Sequence, residues 1–469
     1  MKRVLFLLLL SSKTWADVSL PAILGSNMVL QQQTDVTIRG WANPTENITV
    51  TASWDNQPVR VTCPDNAAWK VTLRTPKGSL MSYVITISGD NTVVLSNILI
   101  GEVWLCSGQS NMEMTAGGGV KDARAELPTA NNPSIRFFKM TKISAETPQN
   151  DVRGNWTVCD SVSLKNFSAV GYFFGKKLQN TLNLPIGLID ASWGGSYMDC
   201  WVPEAITALY PDTRQSAQTM PKVPWNPNKP GVIYNGMIAP ITAFPIAGVI
   251  WYQGESNRHL ASAYHHLTHL LVDSWRGLWQ KDLPFYSVQI APYTYNDKQF
   301  QTAAVREAQA KAMDIPKFGM VVTTDLVDNL KDIHPQYKKQ VGHRLAGWAL
   351  AETYGQVGGF YKSPQYRTMQ VEGNRIRLTF DHAPNGLMAK GGELTEFYVA
   401  GADKVFTKAQ AHSKGNTVEV WADNVKAPVA VRFAFRDAPE PNLFSQEGLP
   451  VIPFRTDNWP LETKTVAGQ

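Results

Sequence analysis

The chain has 469 residues, of which 43% are hydrophobic and 18% are charged, and its formal net charge is +5. This length is too great for one ordinary core, so two or three domains are expected. The basic residues are scattered rather than clustered, which argues against nucleic-acid binding. Beyond the first residues no stretch is apolar enough to span a bilayer, so membrane insertion is not expected.

The first 16 residues have the pattern of a secretion signal. Lys2 and Arg3 precede the apolar run 4–10, and small residues at 14–16 suit cleavage before Asp17. We therefore expect a secreted or periplasmic protein whose mature chain begins at Asp17.

Export would place the cysteines in oxidising surroundings, where three disulfide pairings are possible and the sequence favours none of them. Cys106 lies on a predicted buried strand, where a free thiol fits at least as well as a bridge. The chain has no Cys-x-x-Cys pair, so no structural zinc is expected. The four cysteines are Cys63, Cys106, Cys159 and Cys200.

Residues 17–100 and 359–469 are predicted to form β domains. The first contains short strands at 36–40, 48–52, 69–73 and 83–87, separated by Asn-Pro, Asp-Asn and Gly-Asp turns. The second contains candidate strands at 369–371, 375–380, 397–400, 417–420 and 429–433. Short strands at this spacing are typical of small β-sandwiches, which act as structural collars or as carbohydrate-binding modules.

Residues 101–358 alternate strands with helices. Buried strands are predicted at 103–106, 135–139, 186–190, 247–252, 285–290 and 318–323, and helices at 168–182, 261–279, 302–313 and 336–350. This alternation is typical of an α/β unit whose parallel sheet is covered by helices on both faces. Functional loops are therefore expected at the carboxyl ends of the strands.

Two of these loops have the composition of a nucleophile turn and an oxyanion hole. After strand 103–106, Gly108 permits a tight turn that would expose the hydroxyl of Ser110. After strand 186–190, Ser192-Trp-Gly-Gly-Ser196 has paired glycines that free a backbone N–H to approach a ligand. The second pattern is equally compatible with an ordinary strand-to-helix turn.

A third loop, Gln253-Gly-Glu-Ser-Asn257, follows strand 247–252. Gln253 or Asn257 can donate a side-chain N–H to a developing oxyanion. Glu255 can orient a partner or bind a sugar hydroxyl. Three such residues at the end of one buried strand favour a functional site over a simple turn.

The fourth loop, after strand 318–323, is acidic and contains His334. Pro335 biases His334 towards an extended conformation and is well suited to the first position of the following helix. His334 is then expected to point into the cleft as a general base. A carboxylate should orient its imidazole. The candidates, nearest first, are Asp332, Asp328 and Asp325.

Four further histidines lie around the predicted helix 261–279. His265 and His269 have an i,i+4 spacing that suits a metal ion, but no H-E-x-x-H motif is present. Together with His259 and His266 they cover more than one face. This pattern favours a solvated helix surface over a metal site.

Three motifs together resemble the sialate O-acetylesterase family of the SGNH-hydrolase superfamily: Gly108-Gln-Ser-Asn111, Trp251-Tyr-Gln-Gly-Glu-Ser-Asn257 and Asp332-Ile-His-Pro335. Tyr234-Asn-Gly-Met-Ile-Ala-Pro240, Arg306-Glu-Ala-Gln309 and Val341-Gly-His-Arg-Leu-Ala346 are further matches, in the same order. The resemblance implies an α/β protein with an SGNH/flavodoxin-like parallel-sheet hydrolase domain, flanked by β-sandwich-like regions at both ends.

The resemblance also implies an esterase that removes acetyl groups from the hydroxyls of a sugar or glycan, with no metal and no cofactor. Ser110 would be the nucleophile and His334 the base. The amides of Ser110 and Gly195 and the side chain of Gln253 would form the oxyanion hole. Asn257 belongs to the same pattern.

The sequence departs from the family at two positions. The superfamily favours an Asp three residues before the His, where this chain has Lys331, so Asp332 is expected to complete the triad. Asp199 stands where the family commonly has Glu, which puts the substrate contacts there in doubt. The candidate substrate-binding residues are Glu255, Asn235 and Arg306, the last as a cation for the carboxylate of sialic acid.

Two alternative functions stay open. An acetylxylan or other plant-glycan acetylesterase would use the same chemistry with different pocket walls. A non-catalytic glycan-binding protein on a hydrolase scaffold would use the aromatic residues and β domains instead.

Overall fold

The computed structural model describes residues 17–224, 226–295, 300–356 and 358–461. The predicted secretion signal lies outside the described residues. The amino-terminal strands are β1 (Val29–Gln31), β2 (Asp35–Trp41), β3 (Asn47–Ala52), β4 (Pro58–Thr62), β5 (Ala68–Arg74) and β6 (Ser79–Ser88). The four strands predicted here are confirmed, and the structure adds β1 and β4.

Pairing among these strands is antiparallel. β2 pairs with β5, and β3 pairs with both β4 and β6. Burial alternates along β2, where Val36 and Ile38 face the core, and along β5, where Trp69 and Val71 do so. This period of two is what a sheet with one buried face requires.

The 17-residue strand β7 (Thr92–Gly108) joins the amino-terminal strands to the parallel sheet. Its first part pairs antiparallel with β6, and its last part pairs with parallel neighbours on both sides. The domain boundary predicted at 100/101 therefore falls inside one continuous strand rather than in a linker.

The central unit contains a parallel sheet with strand order β13-β12-β11-β7-β10-β8, extended at one edge by the antiparallel β9. Its remaining strands are β8 (Asn131–Lys139), β9 (Trp156–Asp160), β10 (Ile186–Ser192), β11 (Gly248–Tyr252), β12 (Phe285–Val288) and β13 (Phe318–Val321). All six strands predicted here are confirmed. β7 is central, with β11 and β10 on either side of it.

The α-helices are α1 (Ser110–Glu113), α2 (Ser161–Lys165), α3 (Ala169–Leu182), α4 (Glu204–Thr207), α5 (Pro211–Thr219), α6 (Ala261–Trp279), α7 (Gln301–Lys311) and α8 (Lys338–Trp348). Short 3-10 turns occur at Lys121–Ala123, Leu127–Thr129, Met198–Trp201, Ala239–Ile241, Glu255–Leu260 and Ala312–Asp314, and π-helical turns at Tyr234–Ile238 and Ala349–Thr353. The four predicted helices are confirmed. However, α8 begins at Lys338, so Pro335 is not its first residue and His334 lies in an irregular loop.

Both faces of the parallel sheet are buried. Along β7, Val103 and Leu105 join one apolar core, and Trp104 and Cys106 join another. Residues of α6 contribute to the first core, and residues of α3 and α8 to the second. The sheet is thus covered by helices on both sides, as its apolar strands predict.

The carboxyl-terminal part is built from antiparallel strands. They are β14 (Gln365–Glu372), β15 (Arg375–Asp381), β16 (Leu387–Ala389), β17 (Phe397–Ala400), β18 (Thr407–Lys408), β19 (Gln410–Lys414), β20 (Thr417–Trp421), β21 (Ala430–Phe433), β22 (Leu443–Ser445) and β23 (Phe454–Arg455). They form sheets β14-β15-β20-β19, β18-β17-β21-β23 and β16-β22 around one apolar core.

Two features bear on the expectations about disulfides and membranes. All four cysteines are buried and free. Within the described ranges, no helix is both long and apolar enough to cross a bilayer.

Candidate active site

Ser110 is presented by a turn that only glycine can form. Gly108 ends β7 with a φ of +130°, and a Cβ there would lie 2.2 Å from the carbonyl oxygen of Tyr252 on the neighbouring strand β11. The N–H of Gln109 donates to that same carbonyl at 2.9 Å. Ser110 then begins α1 at the carboxyl end of the central strand. Its hydroxyl thus lies in the crevice where parallel sheets bind ligands.

His334 reaches this serine from the loop between β13 and α8. Its Nε2 lies 2.9 Å from the Oγ of Ser110, which is a hydrogen-bond distance. A nucleophile and a base in this relation are what acyl transfer requires. The two residues are 224 positions apart in sequence, so the fold itself assembles the pair.

Asp332 is the carboxylate beside this imidazole. Its Oδ1 accepts the backbone N–H of His334 at 2.9 Å and lies 4.0 Å from the ring atom Nδ1. Asp332 therefore bends the loop and places a negative charge at ion-pair distance. The side chains of both residues are more than a third exposed, so this charge is partly screened by water.

The two other candidate aspartates are engaged elsewhere. Asp325 forms a bidentate pair with Arg344, with distances of 2.8 and 2.6 Å. Asp328 pairs with Lys121. Neither arrangement is directed at His334.

The paired glycines after β10 lie against the serine. The N–H of Gly194 donates to Glu113 Oε2 at 2.5 Å, and a Cβ on Gly194 would lie 3.3 Å from the Cβ of Ser110. Gly195 has a φ of +76°. Within the described ranges, no acceptor pairs with the N–H of Gly195 or of Ser110. Both N–H groups remain free for an oxyanion.

An open cleft of about 420 Å³ lies beside Ser110 and His334. A larger cavity of about 610 Å³ lies at the amino ends of the strands, but neither Ser110 nor His334 lines it. We therefore take the smaller cleft as the site of chemistry. It is lined by Ser110, Glu113, Met114, Gly118, Asp332, His334 and Gln336.

Several known proteins that are similar to this chain are carbohydrate esterases. The profile of the carbohydrate esterase, sialic acid-specific acetylesterase family matches residues 100–351, which is more than half of the chain. The chain belongs to this family. It is 30% identical to the human (Homo sapiens) sialate O-acetylesterase over 412 residues, which cover 78% of each chain. It is 28% identical to the mouse (Mus musculus) enzyme over 418 residues, which cover 76% of this chain and 77% of the other.

A solved structure extends the likeness to the whole fold. A carbohydrate acetylesterase from Xanthomonas citri superposes with a TM-score of 0.87 at 34% identity, covering 94% of this chain and all of the other. The protein described here is accordingly a carbohydrate O-acetylesterase.

The two predicted oxyanion donors of the third loop, Gln253 and Asn257, already form hydrogen bonds inside the protein, so their role as donors stays a prediction. Gln253 is completely buried, and its two amide hydrogens go to the carbonyl of Ser196 at 3.1 Å and to Asn257 Oδ1 at 2.7 Å. Asn257 is also completely buried and donates to Asp199 Oδ2 at 3.0 Å. Because these polar groups are already paired, the two side chains link their own loop to the segment that contains Ser196 and Asp199.

The three predicted substrate contacts are buried as well. The carbonyls of Arg436 and Asp437 accept hydrogen bonds from Arg306, which ties α7 to the carboxyl-terminal part. Asn235 Nδ2 donates to the carbonyl of Ala145 at 3.0 Å. Glu255 is 7% exposed. None of the three lines the cleft around Ser110 and His334, so the geometry does not support these contacts and they stay predictions.

Glu255 belongs instead to a buried polar network under the nucleophile turn. Asn111 Nδ2 donates to Glu255 Oε1 at 2.7 Å and to the carbonyl of Ile333 at 3.1 Å. Asn111 Oδ1 accepts from Lys338 Nζ at 2.6 Å. The network joins the residue after the serine to the residue before the histidine. It therefore fixes the relative positions of the two reacting side chains.

The same network sets the protonation of the base. Burial first, and the charge of Lys338 second, lower the pKa of His334, while Asp332 opposes the shift. Burial also lowers the pKa of Lys338 to about 7 and raises that of Glu255. A lowered pKa keeps the imidazole neutral over more of the pH range, which is the state a general base needs.

Sequence reasoning missed several residues of this site. Asn111 lies inside the recognised motif, and Lys338 lies four residues after His334, so the position of both could have indicated a role. Nothing in the sequence marks Glu113 or Asn226 as part of the site. The Nδ2 of Asn226 would nevertheless lie 2.4 Å from a Cβ on Gly195. Its Oδ1 is buried and has no partner among the described residues.

Asp199, the second departure from the family pattern, faces the interior. It is completely buried and accepts hydrogen bonds from Ser216 at 2.9 Å and from Asn257. Its role in the structure is to hold Asn257, and through it Gln253, in place.

Proposed function

We propose that this esterase hydrolyses acetyl esters of sugar hydroxyls through an acetyl-enzyme on Ser110. The observation that carries the proposal is the 2.9 Å distance between Ser110 Oγ and His334 Nε2 at the carboxyl end of the central strand. His334 takes the hydroxyl proton as Oγ attacks the acetyl carbonyl. The C–O bond to the sugar then breaks, and the sugar oxygen leaves with that proton.

Deacylation follows the same route. His334 takes a proton from a water molecule as the water oxygen attacks the acetyl carbonyl, and the C–O bond to Ser110 then breaks as His334 gives the proton to Oγ. Acetic acid leaves and loses its own proton to solvent. The negative oxygen of both tetrahedral intermediates is bound by the free N–H groups of Ser110 and Gly195. Asp332 stabilises the imidazolium that forms in each step.

An O-acetylated sialic acid is the first candidate substrate, because the curated relatives are sialate O-acetylesterases. A second candidate is an acetylated neutral glycan such as acetylxylan. The cleft is lined by the carboxylates of Glu113 and Asp332, and Glu113 is paired with Lys142, whose Nζ lies 2.5 Å from Glu113 Oε1. Arg306, the expected partner for a sialic acid carboxylate, is buried.

Release of acetate tests the mechanism. Ser110→Ala and His334→Ala should each lower kcat by at least about a thousandfold, since the nucleophile and the base act together and neither works without the other. Ser107→Ala is the matched control, because Ser107 lies on the same strand with its hydroxyl donated to the carbonyl of Ala191 at 2.7 Å. Undiminished acetate release by the Ser110 variant would refute the proposal.

The two substrates are separated by kcat/KM for O-acetylated sialic acids and for acetylated xylo-oligosaccharides. A preference for the neutral substrate would fit the burial of Arg306. A preference for sialic acid would require another cation beside the cleft, such as Lys142, which pairs with Glu113.

We further propose that the parallel-sheet unit, residues 101–358, is an SGNH-type hydrolase domain flanked by β-sandwich-like regions at 17–100 and 359–469. The loops at the ends of β7, β10 and β13 support this, because they bring Ser110, Gly195 and His334 together. We also propose export to the periplasm or the medium through residues 1–16. Amino-terminal sequencing of the mature protein tests this by asking whether it begins at Asp17.

A further inference from the structure

Two imidazoles and one carboxylate meet outside the active site, on the surface of α6. His265 and His269 lie one turn apart on the same face of the helix, as their i,i+4 spacing requires. Asp314 ends the 3-10 turn Ala312–Asp314, which precedes β13. The nitrogen and oxygen atoms that these three residues offer all lie within 4.8 Å of one another.

The distances within this cluster suit a small divalent cation. His265 Nε2 lies 3.1 Å from Asp314 Oδ2, and His269 Nε2 lies 3.0 Å from Asp314 Oδ1. Zinc bonds of about 2.0–2.2 Å to nitrogen and oxygen place neighbouring ligand atoms of a tetrahedron about 3.3 Å apart. Both His–Asp separations are close to this spacing, and with all ligand atoms within 4.8 Å of one another a small side-chain movement completes it when an ion enters.

We propose that His265, His269 and Asp314 bind a divalent transition-metal ion of the zinc class. The donors are Nε2 of each imidazole and the carboxylate of Asp314, and water completes a tetrahedral shell. The three side chains are 35%, 33% and 54% exposed, so an ion can enter from solvent. The sequence favoured a solvated helix surface, because no H-E-x-x-H motif is present and the histidines cover more than one face; the third candidate ligand lies 45 residues beyond His269.

Binding also requires a local rearrangement of protons. In the structure each Nε2 lies at hydrogen-bond distance from Asp314, so a neutral imidazole there carries its proton on Nε2. An ion needs the lone pair of that nitrogen, so the proton must move to Nδ1. The carboxylate then exchanges two hydrogen bonds for a bond to the metal.

The position of the cluster indicates a structural role. Asp314 precedes β13 and so lies at the amino end of the parallel strands, whereas Ser110 and His334 lie at the carboxyl end. An ion would join α6 to the connection between α7 and β13. Because it binds only the folded chain, it should raise the melting temperature without taking part in ester hydrolysis.

Calorimetric titration of the metal-free protein with zinc chloride tests the site. The wild type should bind one equivalent. His269→Ala and Asp314→Asn should each weaken binding at least tenfold. His266→Ala is the matched control, since His266 lies on the same helix but pairs with Asp212 at 2.9 Å. Its affinity for zinc should equal that of the wild type.

Thermal unfolding gives a second readout. Zinc should raise the melting temperature of the wild type and of His266→Ala, but not that of His269→Ala. Absence of zinc binding by the wild type, or equal affinity in the His269 and Asp314 variants, would overturn the proposal. Acetate release is not used as a readout, so failure here leaves the esterase mechanism standing.

Discussion

Replacing Asp332 by Asn tests how strongly this carboxylate supports the base. The substitution removes the negative charge that lies 4.0 Å from His334 Nδ1. It keeps a side-chain oxygen that can still accept the backbone N–H of His334, so the loop should retain its bend. The change in rate therefore reports the electrostatic contribution alone.

The expected magnitude follows from this distance. Two unit charges 4 Å apart attract each other by about 1 kcal/mol in bulk water and by about 4 kcal/mol at the effective dielectric constant of a protein surface. The side chains of His334 and Asp332 are 40% and 37% exposed, which places the pair towards the screened end of that range. A loss of about 1–2 kcal/mol corresponds to a fall of about 5- to 30-fold in kcat/KM.

Initial rates of acetate release from an acetylated sugar measure this effect. Asp328→Asn is the matched control, since Asp328 lies in the same loop but pairs with Lys121, and it should keep the rate of the wild type. A fall of about ten-thousandfold, as in a tightly bonded serine protease triad, would show that the imidazole and Asp332 are in direct contact during turnover. An unchanged rate would show that Asp332 does not stabilise the imidazolium. Either result would refute the reasoning.

Two further variants probe the base and the oxyanion hole. Lys338→Met removes a positive charge that lowers the pKa of His334, so this pKa should rise. The fall of kcat/KM on the acid side of its pH profile should therefore begin at a higher pH. If the acid side of the profile does not move, Lys338 does not influence the pKa of His334. In Gly195→Ala, the φ of +76° and a Cβ only 2.4 Å from Asn226 Nδ2 should displace the oxyanion N–H. Steady-state kinetics should show a loss of about 100- to 1000-fold. Gly277→Ala, where a Cβ meets nothing within 4 Å, should stay near wild type, and equal losses in both variants would contradict the assignment.

The elements with strong periodicity could be predicted from the sequence. The bounds of α6 (Ala261–Trp279) are those predicted, because its length and apolar spacing leave no alternative to a helix. The parallel strands were predicted from apolar runs between helices. The turn at Gly108 and the loop with His334 were found because nucleophile and base must lie at strand ends.

Other features depend on contacts that a sequence does not show. Gln253 and Arg306 have the chemistry of an oxyanion donor and of an anion partner. In the structure, Gln253 donates its hydrogen bonds to Ser196 and Asn257. Arg306 donates to the carbonyls of Arg436 and Asp437. A polar residue in a motif can face the substrate or support the loop that does, and only packing decides between the two.

The continuity of a strand and the contacts between distant residues are also not visible in the sequence, because both depend on packing. The strand β7 (Thr92–Gly108) continues across the predicted domain boundary at 100/101, and no feature of the sequence shows that the two parts belong to one strand. Likewise, the i,i+4 pair His265 and His269 gains its third candidate ligand from Asp314, 45 residues beyond His269.

The central claim is that Ser110 is an activated nucleophile, and its labelling by a serine-directed organophosphonate tests this most directly. Peptide mass spectrometry of the labelled wild type should find one adduct, on Ser110. His334→Ala should slow its formation, and Ser107→Ala should leave the rate unchanged. A wild-type protein that releases acetate but carries no adduct on Ser110, or whose adduct persists in Ser110→Ala, would contradict the account.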